Sequence, residues 1–282
     1  MQTKWLIQDQ LHNEFVVPKL IEALTKRSIE YTFVPYLPFG IGDYSEYYPD
    51  DQFVLCLGSL SFIKRIQRER PEWYPNSWCN FKTLQCNAFY AHLGKYLLNE
   101  DYIFIPVGEL LRRKEFLYTN YGIEDFIFMR PNTGDKSFTG GVVAIEDFKH
   151  HCGFINDFCS PEDYVIIASP KPIQAEWRFF VGDSQIVTGS QYRYNGVLDS
   201  RSDVEEGALV LAQQIANAGY HPNPMYSLDI CRSNDQYYLM ELGAFSCSGF
   251  YACDLDKIVE AADNILALLV FEELQNNADV VL

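Results

Sequence analysis

Three short segments of the chain carry the residue types that a triphosphate with a divalent metal requires. In chain order they are FMRPNTGDKSFTGG at residues 128–141, AEWRFFV at 175–181 and SLDICRSNDQYYLMEL at 227–242. The first two offer fixed cations, and the last offers paired carboxylates. Cations neutralise phosphate oxygens while carboxylates hold the Mg²⁺ that bridges them, so this order of charges favours a protein that binds ATP with Mg²⁺.

The first segment places two cations on either side of a turn. Arg130 ends an apolar strand and Lys136 follows the predicted turn at residues 131–135, so both side chains can reach one anion. Gly140 and Gly141 then present a backbone without side chains, which a phosphate can approach closely. The alternative interpretation is an ordinary hairpin that carries surface charges.

The second segment is a predicted strand, in which residues two apart share a face. Glu176 and Arg178 therefore share one face, and the aromatic residues beside them point to the other. The downstream sequence SQYRY repeats this pattern and predicts that Gln191 and Arg193 share a face. A surface Glu–Arg pair with little effect on stability is the alternative, but two successive strands that each offer an arginine predict a basic patch.

The third segment is a predicted hairpin. If residues 234–236 form its loop, Asp229 lies directly opposite Glu241 on the same face. Carboxylates opposed at about 5 Å repel each other, so a cation is expected beside them, and Mg²⁺ is the natural candidate. A two-residue turn would shift the register by one and remove this opposition. A solvated hairpin face is the other alternative.

Composition restricts the class of protein. The chain has 282 residues, 48% of them hydrophobic, and a formal net charge of −16 at pH 7. Such an acidic chain is a poor general partner for nucleic acid. Its eight cysteines have irregular spacing, and neither a cleavable leader nor a membrane span is evident, so we expect a soluble cytoplasmic protein with reduced thiols. Zinc and serine-hydrolase motifs are missing from the sequence.

The pattern of elements predicts an α/β (α+β) fold. Strand and helix signals alternate in the first third, which favours a Rossmann-like lobe with a mainly parallel sheet at residues 1–120. A β-rich region with flanking helices follows at residues 121–282. The segment LPFGIGDY contains Gly40 and Gly42, but it lacks the third glycine of a dinucleotide-binding motif, so a loop is predicted there.

The order of the motifs resembles the ATP-grasp superfamily, and within it the divergent R-two-K clade, named for one Arg and two Lys. In that clade a basic residue ends one strand, a Lys follows a short turn, and strands with E-[FW]-R-x-F-V and S-Q-x-R precede a metal-binding Asp and D/E-x-N motif. The resemblance spans roughly residues 120–260. The corresponding places look like Arg130, Lys136, Glu176 to Val181, Ser190 to Arg193, Asp229 and Glu241.

This resemblance implies roles for individual residues. The residues implied to contact the nucleotide through their side chains are Arg130, Lys136, Glu176 and Arg178. The backbone of Val165, Ile166, Ile167 and Ala168 is implied to contact the adenine. The implied catalytic residues are Lys136, Arg178 and Arg193, with the last on the acceptor carboxylate or the intermediate. Asp229 and Glu241 are the implied metal ligands.

Two positions depart from the pattern of the clade. Arg130 stands where a Lys is usual, which keeps the charge but offers a fork of donors instead of a point. Gly243 stands where the metal-binding Asn is expected, so one ligand is missing or is replaced by Ser246 or Ser248.

The resemblance also implies an activity. In the superfamily ATP phosphorylates a carboxylate, and an amine then attacks the acylphosphate. We therefore expect an ATP- and Mg²⁺-dependent carboxylate–amine ligase whose acceptor is a peptide or protein. The rival hypothesis is an ATP–Mg-binding assembly chaperone without ligase turnover, like the eukaryotic initiation-factor assembly protein of the same clade. A kinase-like phosphotransferase is the third alternative.

Overall fold

The computed structural model describes residues 2–9, 15–35, 44, 46–49 and 52–279, and within them it contains three β-sheets. Gly40 and Gly42, for which a loop is predicted, lie outside the described residues. No helix among the described residues combines the length and apolar character that a bilayer-spanning segment requires. All eight cysteines are free thiols.

The first sheet is parallel and confirms the predicted Rossmann-like pattern. Its strand order is β2-β1-β3-β4. All five residues of β3 are buried, as expected for a parallel sheet covered on both faces. The elements of this region are β1 (Lys4–Gln8), α1 (Val17–Lys26), β2 (Tyr31–Val34), β3 (Phe53–Leu57), α2 (Leu60–Glu69) and β4 (Tyr74–Asn76).

The second sheet is antiparallel, with strand order β5-β8-β6-β7. Its apolar face packs on α4 and α5 in a core of its own, which contains Leu117, Phe148 and Ile167. The elements of this region are α3 (Cys86–Leu93), β5 (Tyr102–Pro106), α4 (Lys114–Tyr121), β6 (Phe126–Pro131), β7 (Gly141–Ala144), α5 (Phe148–Asn156) and β8 (Tyr164–Ala168).

The third sheet is also antiparallel, with strand order β11-β10-β9-β12-β13. Alternation along β9 sends Trp177, Phe179 and Val181 into a core shared with α6, while Phe180 packs toward α7. The elements of this region are β9 (Ala175–Gly182), β10 (Gln185–Tyr194), β11 (Val197–Arg201), α6 (Glu206–Ala216), β12 (Met225–Ser233), β13 (Gln236–Ala244) and α7 (Leu255–Asp279).

The sequence patterns located most of these elements. Strands β4 and β11 were not predicted: β4 has only three residues and β11 is mostly exposed, so neither carries a hydrophobic period. The proposed division at residue 120 stays a prediction. Strand β5 precedes that position and pairs with β8, which follows it.

Candidate active site

The predicted acids and one predicted cation lie side by side on three adjacent strands. Arg178 on β9 is the pairing partner of Asp229 on β12, and Asp229 is the pairing partner of Glu241 on β13. Paired residues project to the same face of a sheet. The three side chains therefore form a row across the floor of one cleft.

The opposition of Asp229 and Glu241 arises differently from the prediction. The predicted three-residue turn is wrong, because Gln236 pairs with Ser233 and only Asn234 and Asp235 form the turn, both with positive φ (48° and 61°). That geometry is typical of a two-residue hairpin. A β-bulge in β13 then shifts the register between Ile230 and Asp229 and restores their opposition.

Asp229 is held by a bidentate ion pair. Its two carboxylate oxygens accept hydrogen bonds from Nε and Nη2 of Arg178 at 2.8 and 2.7 Å. Both side chains are largely buried, with 12% and 6% of the arginine and aspartate side chains exposed. A pair of this kind fixes the plane of the guanidinium as well as its position.

Glu241 is paired with the two cations of the first segment. Lys136 Nζ lies 3.2 Å and Arg130 Nη2 lies 3.4 Å from its Oε1. Burial would raise the pKa of Glu241, but the charges of Arg130 and Lys136 outweigh it and hold that pKa below its usual value. Arg130 also donates to the carbonyl oxygen of Met240 at 3.1 Å, so it fixes the bulge that orients Glu241.

The two glycines after Lys136 differ in what they require. A Cβ on Gly140 would lie 2.9 Å from Cβ of Arg130, whereas a Cβ on Gly141 would meet nothing within 4 Å. Gly140 is therefore needed for the close approach of the loop to β6. Lys136 itself has a φ of 53°, a left-handed conformation that turns its side chain back toward Glu241.

Aromatic residues that the sequence analysis missed surround Arg178. The rings of Tyr192 and Tyr251 are stacked, with centroids 4.9 Å apart, and the guanidinium carbon of Arg178 lies 5.6 and 5.2 Å from their centroids. Arg178 also donates to the carbonyl oxygen of Gly249 at 3.3 Å. Tyr192 belongs to the SQYRY pattern, but its role depends on Tyr251, which lies far away in the sequence.

Glu176 and Arg193 form a second, looser pair beside this row. Arg193 Nη1 lies 3.7 Å from Glu176 Oε1, and the Tyr192 hydroxyl donates to Glu176 Oε2 at 2.5 Å. Burial raises the pKa of Glu176 above its usual value. The expectation that Gln191 and Arg193 share a face is wrong: a bulge pairs Gln191 with Trp177 but Arg193 with Glu176, and those two partners face opposite sides of β9.

The adenine contact predicted at the backbone of Val165, Ile166, Ile167 and Ala168 stays a prediction. These residues occupy β8, which is paired with β5 along one edge and with β6 along the other. Their peptide groups are therefore engaged in the sheet, and their side chains are buried. The segment that follows, residues 169–174, leaves the sheet and joins β8 to β9.

Lys171 in this joining segment is a further residue that the sequence analysis missed. Its Nζ is buried and has no hydrogen-bond partner among the described residues. With Arg130, Phe128, Met240 and Tyr90 it lines a cavity of about 140 Å³ between the second and third sheets. A buried amino group without a described partner is costly, so Lys171 is a candidate to bind an anion. The signal in the sequence was its place between Pro170 and Pro172.

Two hydroxyl groups occupy the space beside Gly243, the position at which a metal-binding Asn is expected. A Cβ on Gly243 would lie 2.4 Å from Ser227 Oγ, and the hydroxyls of Ser227 and Ser248 are 2.8 Å apart. Ser246, the other candidate for a replacement ligand, accepts a hydrogen bond from the Trp78 backbone instead. Ser248 Oγ lies 3.4 Å from the Cβ position at Gly243, so Ser248 is the nearer of the two predicted substitutes.

The donors of the cleft fit Mg²⁺ bound together with phosphates. No group of three or more His, Cys, Asp or Glu side chains suited to a metal occurs in the described part of the chain, so the protein alone does not form a closed metal cage. Asp229 and Glu241 provide two carboxylates, which is the usual protein contribution when phosphates and waters complete an octahedral Mg²⁺ shell.

One family model matches more than half of the chain. The sequence profile of the ATP-grasp domain, R-two-K clade, family 3, matches residues 103–261. No curated protein shows significant sequence similarity to the chain.

Solved structures show the same fold at low identity. D-cycloserine synthetase DcsG has a TM-score of 0.64 at 14% identity over 94% of this chain and 99% of that one. D-alanine–D-alanine ligase from Bacillus anthracis has a TM-score of 0.59 at 14% identity over 99% of both chains. The ATP-grasp ligase PsnB, in complex with the precursor peptide PsnA2 and AMPPNP, has a TM-score of 0.54 at 13% identity over 94% and 97%.

Proposed function

The chain belongs to the ATP-grasp domains of the R-two-K clade, family 3, and from that membership we propose that it is an ATP-dependent carboxylate–amine ligase that acts through an acylphosphate. The observation that carries the proposal is the single cleft in which Arg130, Lys136 and Arg178 face Asp229 and Glu241. We propose a peptide or protein as the acceptor, supported by the peptide complex of the structural neighbour PsnB.

The cations position the triphosphate. Lys136 reaches the cleft from the turn between β6 and β7, and Arg178 reaches it from the floor, so the two approach a phosphate group from different sides. Charge on the transferred phosphoryl group is spread over its oxygens, and fixed cations stabilise it without reorganisation. Arg193, with 46% of its side chain exposed, is free to turn toward the acceptor carboxylate.

Asp229 and Glu241 are the groups that would hold Mg²⁺, which supplies charge neutralisation between the phosphate oxygens. Their oxygens are paired with Arg178, Lys136 and Arg130. The triphosphate offers these cations an alternative partner and thereby releases carboxylate oxygens. We therefore propose that binding of the nucleotide precedes or accompanies binding of the metal.

The base and the inner phosphates would occupy the region of the joining segment. Peptide groups of residues 169–173 lie outside the sheets, so they remain available to the edge of a purine, in contrast to those of β8. Lys171 Nζ, which has no hydrogen-bond partner in the described part of the chain, supplies a positive charge at the adjoining cavity.

The acylphosphate is tested with a carboxylate labelled with ¹⁸O. The chain is incubated with ATP, Mg²⁺, a pool of peptides whose carboxylates are labelled with ¹⁸O and a pool of amines. We expect one labelled oxygen to appear in the released phosphate, because the carboxylate oxygen that attacks the γ-phosphorus leaves with it when the amine forms the amide bond. Lys136→Ala should abolish the transfer, whereas Lys149→Ala, exposed on α5, should not.

Other results of this experiment would favour the two alternative functions. Tight ATP–Mg²⁺ binding without release of ADP across all pools would favour the assembly chaperone. A phosphorylated product without a new amide bond would favour the phosphotransferase.

A further inference from the structure

A groove with a volume of about 930 Å³ lies outside the nucleotide cleft, along one edge of β10. Its floor consists of the residues from Ile186 to Gly189, all of them half-buried. One wall is the face of α6 that carries Leu209, Val210 and Gln213. The opposite wall is formed by α1 and the start of α7, and it carries charged residues of both signs: Lys19, Glu22, Asp254, Asp256 and Lys257. We name it the β10 edge groove.

The floor of this groove is an unpaired strand edge. Strand β11 pairs with β10 only from Gln191 onward, so residues 186–190 have β9 on one side and no described strand on the other. The outward amide of Gln191 donates to the Asp203 carbonyl oxygen at 3.3 Å. Outward and inward groups alternate in an antiparallel strand, so the N–H and C=O of Gly189, two residues earlier, also point into the groove.

The chain already satisfies one of these outward groups with a side chain. The amide of Ile186 donates to Gln213 Oε1 on α6 at 3.2 Å. The edge is therefore blocked at that end by a side chain, while its centre at Gly189 is open. The open part of the edge is short and centred on Gly189, and an exposed strand edge is a template for one more strand.

The walls complement the side chains of such a strand. Leu209 and Val210 expose 44% and 50% of their surface on the α6 wall, where they can contact the apolar residues of an extended segment. The N–H and C=O of Gly189 on the floor offer a donor and an acceptor with which another peptide backbone can pair. Nucleic acid does not fit, because the net charge is −16 and the walls carry no basic stripe.

The groove lies directly behind the active site. Residues 251–253 separate the two: Tyr251 stacks near Arg178 in the cleft, while Cys253 lines the groove and lies 3.3 Å from Ser190 Oγ. Ser190 is the pairing partner of Arg178. A segment bound in the groove therefore contacts the wall that positions Arg178.

From these observations we infer that the β10 edge groove binds an extended peptide segment by strand addition at Gly189. The inference rests on the proposed function in assigning this segment to the peptide acceptor. The groove then recognises a part of the acceptor remote from the carboxylate that reacts, so recognition and chemistry use separate surfaces.

The test uses a phage-displayed library of random 12-residue peptides, selected on the full-length chain without nucleotide. Enriched peptides are synthesised, and their affinity is measured by fluorescence anisotropy. Val210→Asp places a charge on the apolar wall and should weaken binding by about tenfold or more. The matched control is Leu268→Asp on α7, which is also exposed (65%) but lies outside the groove, and it should leave the affinity unchanged.

Strand addition itself is measured at Gly189. Its amide should exchange with solvent rapidly in the free chain and at least tenfold more slowly with an enriched peptide bound, since a hydrogen bond to the peptide protects it. Unchanged exchange at Gly189, equal affinity of Val210→Asp, or no enriched peptide would each overturn the inference.

The two proposals fail separately. Lys136→Ala should lose AMPPNP binding and keep peptide binding, while Val210→Asp should do the reverse. Peptide binding in a chain without ligase turnover would refute the proposed function and support the groove.

Discussion

A single methyl group at Gly243 tests how the floor of the cleft is packed. Gly243 on β13 faces Ser227 on β12. The Cβ of Gly243→Ala would lie 2.4 Å from Ser227 Oγ but 3.8 Å from Ser227 Cβ. The first distance is a clash, and the second is an ordinary van der Waals contact. The hydroxyl of Ser227 must therefore move, and its hydrogen bond with Ser248 at 2.8 Å is lost.

The expected cost follows from these two effects. Forced overpacking costs about 1 to 3 kcal/mol, and a lost hydrogen bond costs about 1 kcal/mol, so Gly243→Ala should lower the free energy of unfolding by about 3 kcal/mol. Ser227→Ala alone removes only the hydrogen bond and should cost about 1 kcal/mol. The double variant has room for the new methyl and should cost no more than Ser227→Ala.

The assay is urea denaturation of the four proteins in a double-mutant cycle, which gives an expected coupling of about 3 kcal/mol. Gly141→Ala is the control, because a Cβ there meets nothing within 4 Å. An equal cost of Gly243→Ala with and without Ser227 Oγ would refute the argument that this hydroxyl closes the position of the missing metal ligand.

Three further predictions concern charges in and beside the cleft. Burial raises the pKa of Glu176 above 4.5, so the ionised carboxylate destabilises the fold. Glu176→Gln should therefore raise the melting temperature at pH 7, and this gain should vanish below pH 4.5. An unchanged melting temperature at pH 7 would count against this prediction. The pKa of Glu241 is lowered from 4.5, so its ion pairs stabilise the fold above that pH. Glu241→Gln should therefore lower the melting temperature at pH 7. Calorimetry should show that this decrease in melting temperature becomes smaller as the pH falls below 4.5. Lys171 Nζ is buried without a described partner, so Lys171→Met should keep the melting temperature or raise it. The same variant should weaken AMPPNP binding, measured by calorimetry, about tenfold or more. Unchanged affinity would remove Lys171 from the nucleotide site.

Local patterns in the sequence were sufficient for most of the elements. Strand β1 coincides with the predicted KWLIQ, and the alternation in AEWRFFV correctly separated Trp177 and Phe179 from Glu176 and Arg178. These predictions succeed because the period of a buried strand is fixed by the backbone itself. The ATP-grasp fold and its R-two-K clade were likewise predicted from the order of the motifs and are confirmed.

Irregularities in the strands limited the finer predictions. The bulge in β13 preserved the opposition of Asp229 and Glu241 although the predicted turn was wrong, and the bulge in β10 separated Gln191 from Arg193. A bulge adds one residue to a strand and reverses the facing of everything beyond it. Residue types do not reveal its position, because it depends on the neighbouring strand.

The sequence by itself determined which groups are available: the cations at positions 130, 136 and 178, the acids at positions 229 and 241, and the order in which they occur. The tertiary structure alone decided which of them meet. It brought Tyr251 to Arg178, left Lys171 beside a cavity without a partner among the described residues and engaged the backbone of β8 within a sheet. Side-chain periodicity is a local property of the backbone, whereas contacts between distant segments depend on how the sheets pack and where their strands are irregular.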